Sequence, residues 1–269
     1  MIPATECKRY SISYERPKVM GILNLTPDSF SDRTRYSGKA AVRRVFEMED
    51  EGADIIDVGG ESTRPGASPV SPEEEMLRII DVIREAAPSL NVPISADTMH
   101  PETAEKALNA GASIINDVTG LRDARMTELA VSADVPVVIM HMHGMPGTMQ
   151  EDTMSGYVVP QISEFFDVVC EKAADAGIKK NKIILDPGIG FGKTYQQNVD
   201  IIGSLQTLKK GRPVLIGTSM KSFLRFAYPD TSREEASILS ATEAVRNGAN
   251  IVRVHDIKGT LHSLKNKIL

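Results

Sequence analysis

Short apolar runs, each followed by a stretch of helix length, recur along this chain, and no other feature restricts its fold so strongly. They lie at Val19–Leu25, Asp54–Val58, Pro93–Ala96, Ser113–Ile115, Val135–Met140, Ile183–Asp186, Pro213–Ile216 and Ile251–Val254. Runs this short and this apolar read as strands buried on both faces, and the intervening stretches as crossover helices. Helical spacing is clearest over 38–51 (Val42, Val45, Phe46, Met48). Ser71 as N-cap, Pro72 at N1 and Glu73–Glu75 in the first turn predict a helix to about Ala87. Further helices are expected from about Pro101, over 155–176 and 231–247, and at the C-terminus. A doubly wound open sheet would accept the same alternation. Eight beats of about 30 residues without a dinucleotide-binding glycine loop instead favour closure into an α/β (β/α)8 TIM barrel. Ahead of it, the alternation Tyr10-Ser-Ile-Ser-Tyr14, ended by Pro17, predicts a short strand or hairpin covering the barrel bottom.

A chain of 269 residues has room for one such barrel or two smaller domains, and no linker-like segment divides it, so one domain over 1–269 is expected. A formal net charge of −5 argues against a nucleic-acid surface. With no secretory core and no apolar run beyond strand length, the reading is a cytoplasmic protein without membrane attachment. Cys7 and Cys170 lack metal or redox spacing and read as free thiols in a reducing compartment.

In barrels of this kind the site forms at the C-terminal ends of the strands. Here those ends carry Asn24, Asp97, Asn116, Asp186, Lys221, Arg253 and His255. The sixth is the most telling: Ile183–Asp186 delivers one carboxylate at a break made by Pro187 and Gly188, followed by glycines at 190 and 192. A P-loop would need glycine where Pro187 stands, and glycine at every second position does not match G-x-G-x-x-G. The loop therefore reads as one that lets backbone approach a flat ligand. Asp97, Asn116 and Asp186 suit the parallel N–H donors of an aminopyrimidine edge. Asn24, Arg64, Arg253 and His255 suit a diphosphate with Mg²⁺, a cation that takes few protein ligands. His141 and His143 read as loop-packing or supporting groups rather than a zinc pair, and Met140, Met142, Met145 and Met149 as soft packing.

These residues, in this order, resemble the dihydropteroate synthases over nearly the whole chain. The long matching stretches are Met20-Gly-Ile-Leu-Asn-Leu-Thr-Pro-Asp-Ser-Phe-Ser-Asp32 and Asp57-Val-Gly-Gly-Glu-Ser-Thr-Arg-Pro-Gly66. Shorter ones are Ser95-Ala-Asp-Thr98, Ile115-Asn-Asp-Val118, Met140-His-Met-His-Gly144, Asp186-Pro-Gly-Ile-Gly-Phe-Gly-Lys193 and Arg253-Val-His-Asp256. The resemblance implies a homodimeric barrel that condenses 6-hydroxymethyl-7,8-dihydropterin diphosphate with 4-aminobenzoate, a step of folate biosynthesis and a sulfonamide target. It implies that Asp97, Asn116, Asp186 and Lys221 hold the pterin beside Phe191, and that Asn24 binds Mg²⁺. Thr63, Arg64, Arg253 and His255 would meet the diphosphate, and Thr26, Pro27, Phe30, Pro65 and Ser222 would frame the aminobenzoate. Asp97, Lys221, Arg253 and His255 would carry the catalysis. The chain departs from the family pattern at Met220 (commonly Arg), His143 (commonly Gln) and Arg33-Thr34 (commonly Gly-Gly), all on the aminobenzoate side. A synthase using a modified arylamine, or a pterin-dependent corrinoid methyltransferase on the same barrel, is the alternative. The methyltransferase would not need the Thr-Arg-Pro-Gly loop, Lys221 and the Arg-x-His pair together.

Overall fold

A computed structural model describes residues 2–26, 38–63, 66–145, 147–149 and 151–267. It begins with a hairpin, β1 (Thr5–Cys7) antiparallel to β2 (Tyr10–Ile12). Then follow the parallel strands β3 (Lys18–Asn24), β4 (Ile55–Gly59), β5 (Ile94–Asp97), β6 (Ile114–Asp117), β7 (Val137–Met140), β8 (Ile183–Asp186), β9 (Leu215–Ile216) and β10 (Ile251–Val254). Their spatial order is 8-7-6-5-4-3-10-9, and a parallel bridge between Leu185 and Val214 joins the two ends. The Leu185 N–H also donates to the Pro213 carbonyl at 2.9 Å, so the sheet closes as the alternation predicts.

The longer helices are α1 (Gly38–Asp50), α2 (Pro72–Ala86), α3 (Pro101–Ala110), α4 (Ala124–Ser132), α5 (Val159–Asp175) and α6 (Tyr195–Gly203). After them come the single turns α7 (Leu205–Leu208) and α8 (Leu224–Ala227), then α9 (Arg233–Arg246) and α10 (Ile257–Lys267). Ser71 caps α2 as expected, its side chain accepting from the Glu74 N–H. Two helices escape the sequence reading. In α4 only Met126 and Ala130 are buried, and α6 begins at a capping box of Thr194 and Gln197 inside a segment that reads as loop. Among the described residues no helix is long and apolar enough to cross a membrane.

Strand side chains alternate between faces, so one set packs under the helices and the other fills the barrel. The interior set is apolar at the bottom: Met20, Ile55, Ile114, Val138, Ile184, Leu215 and Ile251 form one buried cluster with Cys7 and Ile12 of the hairpin. The hairpin therefore does cover the barrel bottom. Two positions further along four of these strands stand Asp57, Asn116, Asp186 and Arg253. The period of two thus turns an apolar floor into a polar upper layer. Register completes the placement, since Asn24 pairs with Gly59, Gly59 with Asp97, and Asp97 with Asn116. Gly59 leaves room there, since a Cβ would come within 3.2 Å of the Asp97 Cβ and crowd it.

The floor should contribute stability rather than chemistry. Ile114→Ala is expected to cost roughly 2–5 kcal/mol in equilibrium urea unfolding. Leu77→Ala, at a side chain 84% exposed on α2, should stay within about 0.5 kcal/mol of the parent.

Candidate active site

Arg253 lies at the centre of the upper layer. Its strand register, opposite Met20, sets it two residues below the level of Asp57, whose partner is Ile22, and its length lets it reach up. Nε donates to Asp57 Oδ2 at 2.6 Å and Nη2 to Asp97 Oδ2 at 2.5 Å. Asn116 Nδ2 donates to the same Asp57 oxygen at 3.1 Å. Asp57 is wholly buried, and its Oδ1 has no hydrogen-bond partner among the described residues. Burial holds Asp97 above the ordinary carboxylate range; Arg253 pulls it down, and the charges of Asp57, Glu75 and Asp186 push it up again. The Arg253 guanidinium stays charged, its own burial more than offset by Asp57 and Asp97.

The loop after β8 builds the second half. Asp186 Oδ1 accepts from the Gly188 N–H at 2.7 Å, a tight turn that only glycine closes: φ is +68°, and a Cβ would sit 2.0 Å from the His141 carbonyl oxygen. Burial pushes the Asp186 carboxyl up, and Lys221 draws it back. Lys221 Nζ stands 4.7 Å from the Phe191 ring centroid and donates to the Ile189 carbonyl, while burial pushes its ammonium down to about 8. The lysine that mimics a P-loop ending, Lys193, is only 1% exposed. It donates to the carbonyls of Gly188 (2.9 Å), Phe191 (3.0 Å) and His141 (3.2 Å). Burial pushes its ammonium down to about 7, and its hydrogen bonds fold the loop upon itself instead of meeting a phosphate.

Asn24, Thr26, Thr63, Asp97, Phe191, Lys221, Ser222, Arg253 and His255 all line one cavity of about 410 Å³ at the C-terminal ends of the strands. His255 is oriented by Ser219, whose Oγ lies 2.9 Å from Nδ1. Asn116 and Asp186 do not line the cavity; both are buried, Asn116 bonded to Asp57 and Asp186 to its own loop. Arg64, Pro65, Pro27 and Phe30 lie outside the described residues. Neither His141 nor His143 reaches the cavity. Burial pushes His141 down to about 3, edge-on to Phe165, and His143 sits 3.6 Å from Asp152. Met140, Met142 and Met149 pack around Phe191 and Val118 as expected, whereas Met145 is exposed. Sequence reasoning passed over Asp57, Ser219 and Glu61. For Asp57 the period of two from Ile55 was the available signal, while Ser219 and Glu61 sit in loops that carry none.

Asn24 offers a neutral oxygen of the kind Mg²⁺ accepts, and it shares the cavity with the Arg253 guanidinium and the His255 imidazole, which fits an ion that completes its shell from a phosphate ligand and water. Among the described residues the compact cluster of carboxylates and histidine is Glu61, Glu75 and His100, of which Glu61 alone lines the cavity.

Removing Arg253 should leave Asp57 as an uncompensated buried charge. Arg253→Gln is expected to cost about 3–5 kcal/mol in urea unfolding. Adding Asp57→Asn should recover part of that loss, a non-additivity that a double-mutant cycle measures.

A family profile described as pterin binding enzyme matches residues 20–255. Dihydropteroate synthase of Neisseria meningitidis serogroup C is 44% identical over 266 residues, covering 96% of this chain and 94% of its own. That of Escherichia coli K12 is 41% identical, covering 95% and 92%. Among solved structures, Xanthomonas albilineans dihydropteroate synthase with 4-aminobenzoic acid superposes with a TM-score of 0.92 at 38% identity, over 99% of this chain and 97% of that one. The Burkholderia cenocepacia enzyme complexed with 7,8-dihydropteroate gives 0.89 at 38% identity, over 98% and 95%. With a closed barrel, a polar layer at its C-terminal face and relatives of this identity along nearly its full length, the chain belongs to the dihydropteroate synthase family of pterin-binding enzymes.

Proposed function

We propose that this protein condenses 6-hydroxymethyl-7,8-dihydropterin diphosphate with 4-aminobenzoate, giving 7,8-dihydropteroate and diphosphate. The observation that carries the proposal is the convergence of opposite chemistries on one cavity: carboxylate acceptance at Asp97, cations at Lys221 and Arg253, and the imidazole of His255. Asp97 accepts from the N–H edge of the pterin, Lys221 reaches a ring acceptor and Phe191 offers a face, with Asn116 and Asp186 supporting that grip through Asp57 and the loop after β8. Nε and Nη2 of Arg253 are committed to carboxylates, which leaves several of its roughly five N–H donors for a departing diphosphate. His255, oriented by Ser219, joins it there with Thr63 and Arg64.

As the carbon–oxygen bond to diphosphate breaks, the pterin methylene becomes electron-poor, and the charge of Asp97 stabilises that centre. The arylamine nitrogen then forms the new bond and sheds a proton. Because an aromatic amine is a weak nucleophile, Thr26, Pro27, Phe30, Pro65 and Ser222 contribute by holding it in line. Mg²⁺ held by Asn24 would supply neutralisation of the diphosphate charge. The proposal includes a homodimer in the cytoplasm, supported by the family resemblance and by the two buried free thiols, Cys7 and Cys170. Met220 lines the cavity with φ at +60°, so the departure at this position lies within reach of the ligands.

Diphosphate release from the pterin diphosphate with Mg²⁺ tests the reading. Release that requires 4-aminobenzoate and yields dihydropteroate supports it. Tight pterin binding without turnover would point to a modified arylamine, and no pterin binding would overturn the proposal. A variant separates ligand grip from stability. Asp97→Asn should weaken pterin binding on the order of 2–3 kcal/mol, about a hundredfold in Kd by calorimetry. Its pKa is raised in the fold, so the folded state takes up a proton that the unfolded chain does not, and charged Asp97 costs stability as pH rises through that range. At pH 8 the Asn variant should therefore unfold at the same temperature as the parent or higher.

A further inference from the structure

Outside the cavity's own machinery, three elements meet at one buried cluster. Glu61 opens the loop after β4, Glu75 lies in the first turn of α2, and His100 occupies the N-cap position of α3. Glu75 is wholly buried, and the side chains of Glu61 and His100 are 8% and 21% exposed. His100 Nδ1 is 3.1 Å from Glu75 Oε2 and 3.9 Å from Glu61 Oε2. Thr98, the residue after Asp97, donates from Oγ1 to the same Glu75 oxygen at 2.6 Å and accepts from the His100 N–H at 3.1 Å. Glu61 Oε1 accepts from the Val70 N–H at 3.2 Å, spanning its loop, and Glu61 itself lines the cavity. The cluster thus ties the loop that starts Glu61-Ser-Thr63 to the strand end that carries Asp97.

Two carboxylates taken from water at one point need a compensating charge. A neutral imidazole would give one of them a single hydrogen bond and leave the other uncompensated, whereas an imidazolium serves both. Burial pushes the Glu61 carboxyl up, and His100 and then Arg78 draw it back, but the hydrogen bonds of the other charged groups go elsewhere. On α2, Arg78 donates to the Gly60 carbonyl at 2.6 Å and to Glu74, and Glu73 is exposed. On α3, Glu102 pairs with Arg125 of α4. The hydrogen bond and charge of Glu75, helped by Glu61 and Glu102, raise His100 above its ordinary range against the effect of burial.

We propose that His100, as a cation shared by Glu61 and Glu75, is a positioning residue that pins Glu61–Thr63 at the cavity wall and makes productive arylamine binding depend on pH. This rests on the proposed synthase reaction, in which that loop frames the amine and the diphosphate. The histidine charge is present at low pH and is lost as pH rises through its elevated value, so the pin releases on the alkaline side.

The test is the KM for 4-aminobenzoate at saturating pterin diphosphate, from pH 6 to 9, in the parent, His100→Asn and His100→Lys, with thermal unfolding of each recorded alongside. Asn keeps a neutral donor near the Nδ1 position, and Lys keeps a charge that does not titrate in this window. His100→Asn is expected to raise KM about tenfold at pH 6 with kcat within about twofold. His100→Lys should match the parent at pH 6 and bind more tightly than it at pH 9. Taking the ratio of parent to Lys variant cancels the titrations of Asp97, Lys221 and the substrates. Superimposable profiles for the three proteins would overturn the proposal, as would an equal loss in both variants. The His100 ring resonance, assigned among five histidines by its absence from the Asn variant, gives a reading independent of turnover. Titration above about 6.5 supports the proposal and titration at or below it overturns it. A parent that binds pterin but makes no dihydropteroate would instead strike the synthase reading, leaving the resonance to decide the role of His100.

Discussion

One guanidinium holds the upper half of this barrel together. Arg253 bonds Asp57 at 2.6 Å and Asp97 at 2.5 Å, and Asn116 joins through Asp57. Without it, strands β4, β5 and β6 would bring two carboxylates and a carboxamide into a space that excludes water, at a cost that apolar packing below could not offset. The pairing also tunes the site, since a cation shared between carboxylates leaves Asp97 under the influence of Asp57, Glu75 and Asp186 and above its usual range. Affinity for a ligand rich in N–H donors is thereby built into the fold, at the expense of stability.

The same economy governs the β8–α6 loop. A chain with glycine at 188, 190 and 192 has much freedom to lose on folding. Its shape is fixed by Lys193, whose ammonium meets three carbonyls, and by Asn198, whose Oδ1 accepts from the Gly190 N–H at 2.7 Å. Three acceptors match the three N–H bonds of a charged lysine and outnumber the two of a neutral one. Phe191 is thereby held against Lys221, and Asp186 against the backbone of Gly188, before any ligand arrives. Preorganisation of this kind reduces what binding must order.

The floor and the upper layer divide the labour of the fold. Below, Met20, Ile55, Ile114, Ile184 and Ile251 are closed off by the hairpin residues Cys7 and Ile12, and nothing there is chemically distinctive. Above, four of these strands carry Asp57, Asn116, Asp186 and Arg253 two residues later. A barrel separates stability from chemistry along its axis because the inward faces of its strands form layers.

The sequence by itself determined the eight-strand rhythm, the N-terminal hairpin, the cap of α2 and the strand-end residues, because period and punctuation are local properties of a chain. It also carried the family resemblance in the stretches after β3 and β4. Only the tertiary structure decided what those residues do to one another. It turned Asp57 from a polar interruption of a strand into the anchor of Arg253, and made Lys193 an internal clamp of its own loop. It buried Asn116 against Asp57 and Asp186 against its own loop, and joined His100 to Glu61 and Glu75 across 39 and 25 positions of chain. Hydrogen bonds, ion pairs and burial depend on distances between strands and loops remote in sequence, and barrel closure alone sets those distances.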